Sequence, residues 1–131
     1  MIDVPAKERQ DRSGLYAKLK EIVEDEDQDR GNFVYCAMCS SVLARLEDRI
    51  EVAGSHNHHF TNPYGVEFHI GCYSEALGCA ISGSRVAADT WFPGFQWRFA
   101  RCSECQHHLG WYFDRAEVFF YGLILDHIQH D

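Results

Sequence analysis

Two pairs of cysteines define the chemistry open to this chain. Cys36-Ala-Met-Cys39 and Cys102-Ser-Glu-Cys105 are both Cys-x-x-Cys, with 62 residues between them. A two-residue spacer in a tight knuckle turns both thiolates toward one ion, and two knuckles complete a tetrahedral set of four sulfurs. Four protein ligands leave no open position, so the spacing points to one structural Zn²⁺ rather than a catalytic ion. A redox dithiol of the thioredoxin kind would need a βαβ setting that the flanking sequence lacks. A site shared by residues 36–39 and 102–105 also pins two distant stretches together, which makes the ion part of the fold.

The other two cysteines read as packing. Val66, Phe68, Ile70 and Cys72 alternate along VEFHIGC and share one face, and Cys79 stands beside Ala80 and Ile81. Buried thiols in such places behave as small hydrophobes. A nucleophilic role for Cys72 would need a base, and His69 falls on the opposite strand face. His56, His58 and His59 in SHNHHF are expected in a polar loop, since nothing nearby completes a second ligand set. His107 and His108 follow the second knuckle and are expected as exposed turn residues, with support of the thiolates as the alternative.

All three tryptophans lie in DTWFPGFQWRFARCSECQHHLGW, residues 89–111. Pro93-Gly94 fits the centre of a type II turn, so the chain reverses between Trp91 and Trp97. It reverses again at the second knuckle. Pairing Cys102 with Gln106 would put Phe99 opposite Leu109 and Trp97 opposite Trp111, with Phe113 diagonal to Trp97 on the same face. Three indoles and a phenyl then converge. They could be core, yet each indole N–H wants a partner when buried. A lined pocket for a flat or saturated ring with polar edges is the other reading, and periodicity leaves both open.

The elements that must position these groups are short. NFVYC, SVLARL, VEFHIGC, QWRFARC, LGWYF and VFFYGLIL are rich in aromatic and β-branched residues and are broken by Gly54, Asn62-Pro63, Gly83 and Pro93-Gly94. The pattern predicts an antiparallel β domain over residues 31–131. Residues 1–30 differ, with nine acidic and six basic residues and no cysteine. Ser13 can cap a helix carrying Leu15, Leu19, Ile22 and Val23, followed by an acidic exit at Glu24-Asp25-Glu26-Asp27. This segment reads as an appended N-terminal helical and acidic extension.

Composition fits one folded domain: 131 residues, 46% hydrophobic and 14% aromatic. A net charge of −8 without any basic cluster argues against nucleic acid as a partner. The opening MIDVPAKERQ lacks the apolar core of a signal peptide, and no run is long enough to span a bilayer. A cytoplasmic location without a membrane partner is expected, and there six cysteines favour metal or burial over disulfides.

The run Trp91-Phe-Pro-Gly-Phe-Gln-Trp97, then Cys102-x-x-Cys105, Leu109-Gly-Trp-Tyr-Phe113 and Phe120-Tyr-Gly-Leu-Ile124, resembles the thalidomide-binding (CULT) domain of the cereblon type. Cys36-x-x-Cys39, Asn62-Pro-Tyr-Gly65 and Phe68 through Gly83 extend the likeness over residues 32–127, and it is nearest to free-standing bacterial members. The resemblance implies a β-tent: two antiparallel sheets pinned by Zn²⁺ on Cys36, Cys39, Cys102 and Cys105. It implies a cage of Trp91, Trp97 and Trp111 closed by Phe113, holding cyclic imides such as glutarimide or thalidomide, and uracil-type rings in some members. An imide, or a peptide or protein end carrying one, is the implied partner. Its edge would meet the Asp89 carbonyl and Trp91 N–H, with Thr90 between them, Asn62-Pro63 over the pocket and Phe68 behind. A His-Ser pair precedes the first tryptophan in the human member of the family; Asp89-Thr90 stands here, a change that backbone contacts survive. The Lon-like domain and helical segment that join such proteins to a ubiquitin ligase have no counterpart, so no ligase adaptor is expected.

Two other readings compete with a binding module. B-type methionine sulfoxide reductases share the tent and paired knuckles but need a nucleophilic cysteine on a late strand, and no cysteine follows Cys105. A zinc-stabilised protein-interaction domain would instead show an exposed apolar patch without an enclosed pocket.

Overall fold

A computed structural model describes residues 32–130. The helix expected around Ser13–Val23 and its acidic exit lie outside the described residues. Nine strands follow: β1 (Phe33–Cys36), β2 (Val42–Arg45), β3 (Asn57–Thr61), β4 (Glu67–Tyr73), β5 (Cys79–Val86), β6 (Gln96–Cys102), β7 (His108–Arg115), β8 (Val118–Ile124) and β9 (Ile128–Gln129). Every pairing is antiparallel. They form two sheets, one ordered β2-β1-β9 and the other β3-β4-β8-β7-β6-β5. The expected mainly-β class with two antiparallel sheets is thus the observed one.

The sheets share a core. Val34 and Leu43 from the small sheet cluster with Leu109, Tyr121 and Leu123 from the large one, and Ile128 closes the group. A second cluster, Ile70, Cys72, Phe92, Trp111, Phe113, Phe120 and Ile124, packs against Trp91, Trp97 and Phe99. Alternation explains this: Trp97 and Phe99 on β6, and Trp111 and Phe113 on β7, are two residues apart and point to one side of the sheet. Close approach of β7 to β8 depends on glycine. Gly110 has φ +156, and a Cβ there would stand 2.0 Å from the Gly122 carbonyl oxygen.

Two expectations are corrected. The histidine run is a strand, not a loop: β3 pairs with β4, placing His59 opposite His69. Polar side chains hid its alternation, although His58 and Phe60 share a face and their rings stack at 5.5 Å. The β6–β7 register also differs, since Trp97 pairs with Phe113 and Phe99 with Trp111. A bulge between Ala100 and Arg101 and a longer knuckle turn, closed by Cys102 N–H donating to His107 O at 2.9 Å, move the pairing by two places. An even shift keeps each side chain on its face, so the aromatic convergence survives. The strand β5 was not expected, because Gly83 reads as a break between runs.

Candidate functional site

The two knuckles are one turn made twice. Ser40 N–H donates to Cys36 O at 2.8 Å, and Gln106 N–H to Cys102 O at 2.9 Å. Ser40 (φ +66) and Gln106 (φ +69) both take the left-handed conformation that closes such a turn. Met38 N–H points at Cys36 Sγ and Glu104 N–H at Cys102 Sγ, each at 3.4 Å. Because the first knuckle leaves β1 and the second joins β6 to β7, the pair bridges the two sheets.

The four sulfurs meet the geometric demand of one ion. All ligand atoms lie within 4.8 Å of one another. Cys36 Sγ is 3.7 Å from Cys105 Sγ, and Cys39 Sγ is 3.6 Å from Cys102 Sγ. A tetrahedral ion with metal–sulfur bonds of about 2.3 Å requires sulfur–sulfur edges of about 3.8 Å. Cys36 and Cys102 are buried while Cys39 and Cys105 are exposed. Ser41, itself buried, sets its hydroxyl 3.2 Å from Cys39 Sγ and 3.3 Å from Cys102 Sγ, where it can donate to a thiolate. Sequence reasoning missed Ser41; its place two residues past Cys39 was the available signal.

Neither remaining cysteine is poised for chemistry. Burial pushes the Cys72 thiol up to about 12 and raises Cys79 as well, so both stay protonated near neutral pH.

A cavity of about 470 Å³ opens on the aromatic face of the large sheet, lined by Trp91, Trp97 and Trp111 with Phe113. Trp91 meets Trp111 edge-on at 4.8 Å, and Phe68 meets Trp111 at 5.1 Å. Phe60 stacks flat on Trp91 at 4.8 Å, an outer support that sequence reasoning did not supply. Trp97 packs edge-on against Phe99, and its Nε1–H donates to Ala88 O at 2.9 Å. That bond ties the β6 indole to the loop preceding Trp91. Gly94 (φ +90) and the Phe95 N–H to Phe92 O bond of 2.9 Å form the expected type II turn between the two indoles.

Polar groups sit at the edges. Asn62, Pro63 and Asp89 line the cavity with Phe68, as does Tyr64, which was not singled out. Asn62 Oδ1 accepts from Tyr64 N–H and Val66 N–H, both at 2.9 Å, so its side chain shapes the loop. Thr90 does not line the cavity. Its hydroxyl turns back to Phe92 N and O at 3.4 and 3.3 Å, holding the turn that carries Trp91. Among the described residues, no protein group pairs with the Asp89 carbonyl or the Trp91 backbone N–H. Phe99 and His108 also line the wall. His108, expected on an exposed turn, is half-buried against Trp111 at 5.0 Å, and its Nε2–H donates to Gly110 O at 2.9 Å. Burial lowers its pKa, overcoming that bond, and keeps the ring neutral at pH 7.

No family model matches the chain. Curated relatives do. Over 98 residues it is 33% identical to "Protein cereblon" of Drosophila pseudoobscura pseudoobscura, covering 68% of this chain and 16% of that protein. "Protein cereblon" of Xenopus tropicalis is 31% identical over 75 residues, covering 53% and 17%. That of Drosophila yakuba is 29% identical over 101 residues, covering 74% and 17%. The chain therefore spans about a sixth of the length of these relatives. Among the described residues, no helix is long and apolar enough to cross a membrane.

Proposed function

The chain carries a cereblon-type domain, and from that premise we propose that it is a small-molecule binding module for cyclic imides, with Zn²⁺ as a structural ion on its four thiolates. The observation that carries this reading is the meeting of Trp91, Trp97 and Trp111 on one cavity of about 470 Å³. A cavity that size accepts a six-membered imide with room for a substituent. The indoles supply apolar walls and flat faces. The unpaired Asp89 carbonyl and Trp91 N–H supply an acceptor and a donor for the imide's N–H and one of its carbonyls. Loop residues Asn62 and Pro63 would cover the ring, with Phe68 and Phe113 packing the walls.

The donor set supports zinc. Four thiolates at tetrahedral spacing suit a borderline-soft ion without redox chemistry, and closed ligation assigns it to holding the sheets together. Its loss would loosen the β6–β7 turn and with it the wall carrying Trp97 and Trp111.

Binding without turnover is the supported class. The thiols outside the four-sulfur group are buried and protonated. His108 faces the cavity, but its Nε2–H is committed to the Gly110 carbonyl. Titration with glutarimide, read by tryptophan fluorescence, tests the reading against an N-methylated imide. Saturable change with the first and none with the second is expected. No response to either would reject the site.

A further inference from the structure

Among the residues lining the cavity, Asp89 is the one carboxylate, and no lysine or arginine joins it. Its surroundings leave that charge unmatched. The described residues contain no lysine; Lys7, Lys18 and Lys20 all lie in the N-terminal extension. Each arginine is engaged elsewhere. Arg85 pairs with Asp114 at 3.0 Å and Arg45 with Glu47 at 3.8 Å. Arg98 and Arg49 donate to the carbonyls of Gly83 and Leu46, each at 3.0 Å. Arg101 and Arg115 lie over the rings of Phe99 and Phe95, at 5.4 and 4.6 Å. No described residue forms an ion pair with Asp89.

We propose that Asp89 makes this cavity selective for ring ligands bearing a positive charge, a protonated amine above all. The proposal rests on the cyclic-imide reading and adds the ligand's charge to it. Asp89 both lines the cavity and is exposed, so it stands at the solvent-facing edge, the side from which a substituent on an enclosed ring would emerge. The indole faces below attract a cation through their quadrupoles, and the carboxylate adds a Coulombic partner. Arg101 does not line the cavity, but its guanidinium lies over Phe99 and close enough to help lower the His108 pKa, which puts positive charge behind a different part of the wall. A cationic ring is thereby oriented, its ammonium toward Asp89 and away from the Phe99–His108 side. The chain's net charge of −8 adds attraction at long range but no orientation.

The test compares glutarimide with 3-(aminomethyl)glutarimide, whose amine stands one carbon off the ring and is a cation at neutral pH, in wild type and Asp89→Asn. Asn suits the exchange because position 89 has φ +57, a left-handed conformation that Asp and Asn both adopt readily. The quantity read is the ratio of the two affinities in each protein. Wild type should prefer the amine by about three- to fivefold at low salt, the size of an exposed charge pair. That preference should shrink in molar salt and fall to about one in Asp89→Asn. Equal affinities in wild type, or a preference that persists in Asp89→Asn, would overturn the proposal while leaving the imide reading standing. Failure of both rings to bind wild type overturns the two together.

Discussion

Trp91 and Trp111 meet edge to face at 4.8 Å, one from a turn-bearing loop and the other from the middle of β7. This contact joins a loop without strand partners to a strand paired on both sides. The cavity is therefore half built into the sheet and half brought to it.

Truncating the two halves should have different effects. Trp111 is 9% exposed and belongs to the second core cluster. Trp111→Ala should cost about 3 kcal/mol or more in denaturant unfolding and abolish imide binding. Trp97 is less buried, so Trp97→Ala should lose binding at smaller cost. Equal stability losses in the two variants would contradict this division.

Metal removal should act on the whole domain. With zinc loaded, about one ion per chain is expected, since one four-sulfur group is present among the described residues. A strong chelator, or Cys39→Ser, should lower Tm by more than about 15 °C or erase the cooperative transition, because ion binding and folding are coupled. Circular dichroism that is unchanged after chelation would refute a structural role.

Gly110 offers a purely steric check. Gly110→Ala puts a Cβ 2.0 Å from the Gly122 carbonyl oxygen, and backbone on a paired strand cannot step aside. Destabilisation of about 3 kcal/mol or more is expected by chemical denaturation. A variant within about 1 kcal/mol of wild type would mean that β7 and β8 stand further apart than described.

Acid should weaken the fold partly through His108. Burial is the main cause of its lowered pKa, so the folded state disfavours the imidazolium. The sign follows: a depressed folded pKa contributes stability above the unfolded value of about 6.5, lost as pH falls through the folded value. His108→Phe should lose less stability than wild type between pH 7 and pH 5. Parallel pH profiles would assign that loss to other groups, the metal-binding thiolates first.

Cys72 and Cys79 should resist alkylation. With burial holding Cys72 near 12, iodoacetamide at pH 8 should leave both thiols intact in the native protein and modify them once it is unfolded. Peptide mass spectrometry reads the result directly, and native labelling at either position would show that its burial is incomplete.

What the sequence disclosed depended on how local the signal was. Cysteine spacing picked out the four sulfurs that come together, since each knuckle is a self-contained turn. The Pro93-Gly94 turn was legible for the same reason. The β6–β7 register was not, because a bulge at Ala100/Arg101 leaves no mark in side-chain pattern. Phe60 was missed because its ring partners Trp91 and Phe92 are distant in sequence, and His108 because Phe99 and Trp111 enclose it only once β6 and β7 pair. Strand β3 was misread because histidines that pack by stacking look polar in a row. The bond of the Thr90 hydroxyl to its own turn was likewise not legible in the sequence.

The sulfur group also imposes an order on biosynthesis. Cys39 and Cys102 are 63 positions apart, so the first thiolate pair leaves the ribosome well before the second exists. Until then an ion held by the first knuckle has only two protein ligands and stays open to exchange. Trp97 emerges just before Cys102 and Trp111 just after Cys105, so closure of the metal site and completion of the aromatic wall fall within a few residues of each other. A nascent chain starved of metal would reach full length with its two knuckles untied, leaving the turn between Trp97 and Trp111 without that anchor.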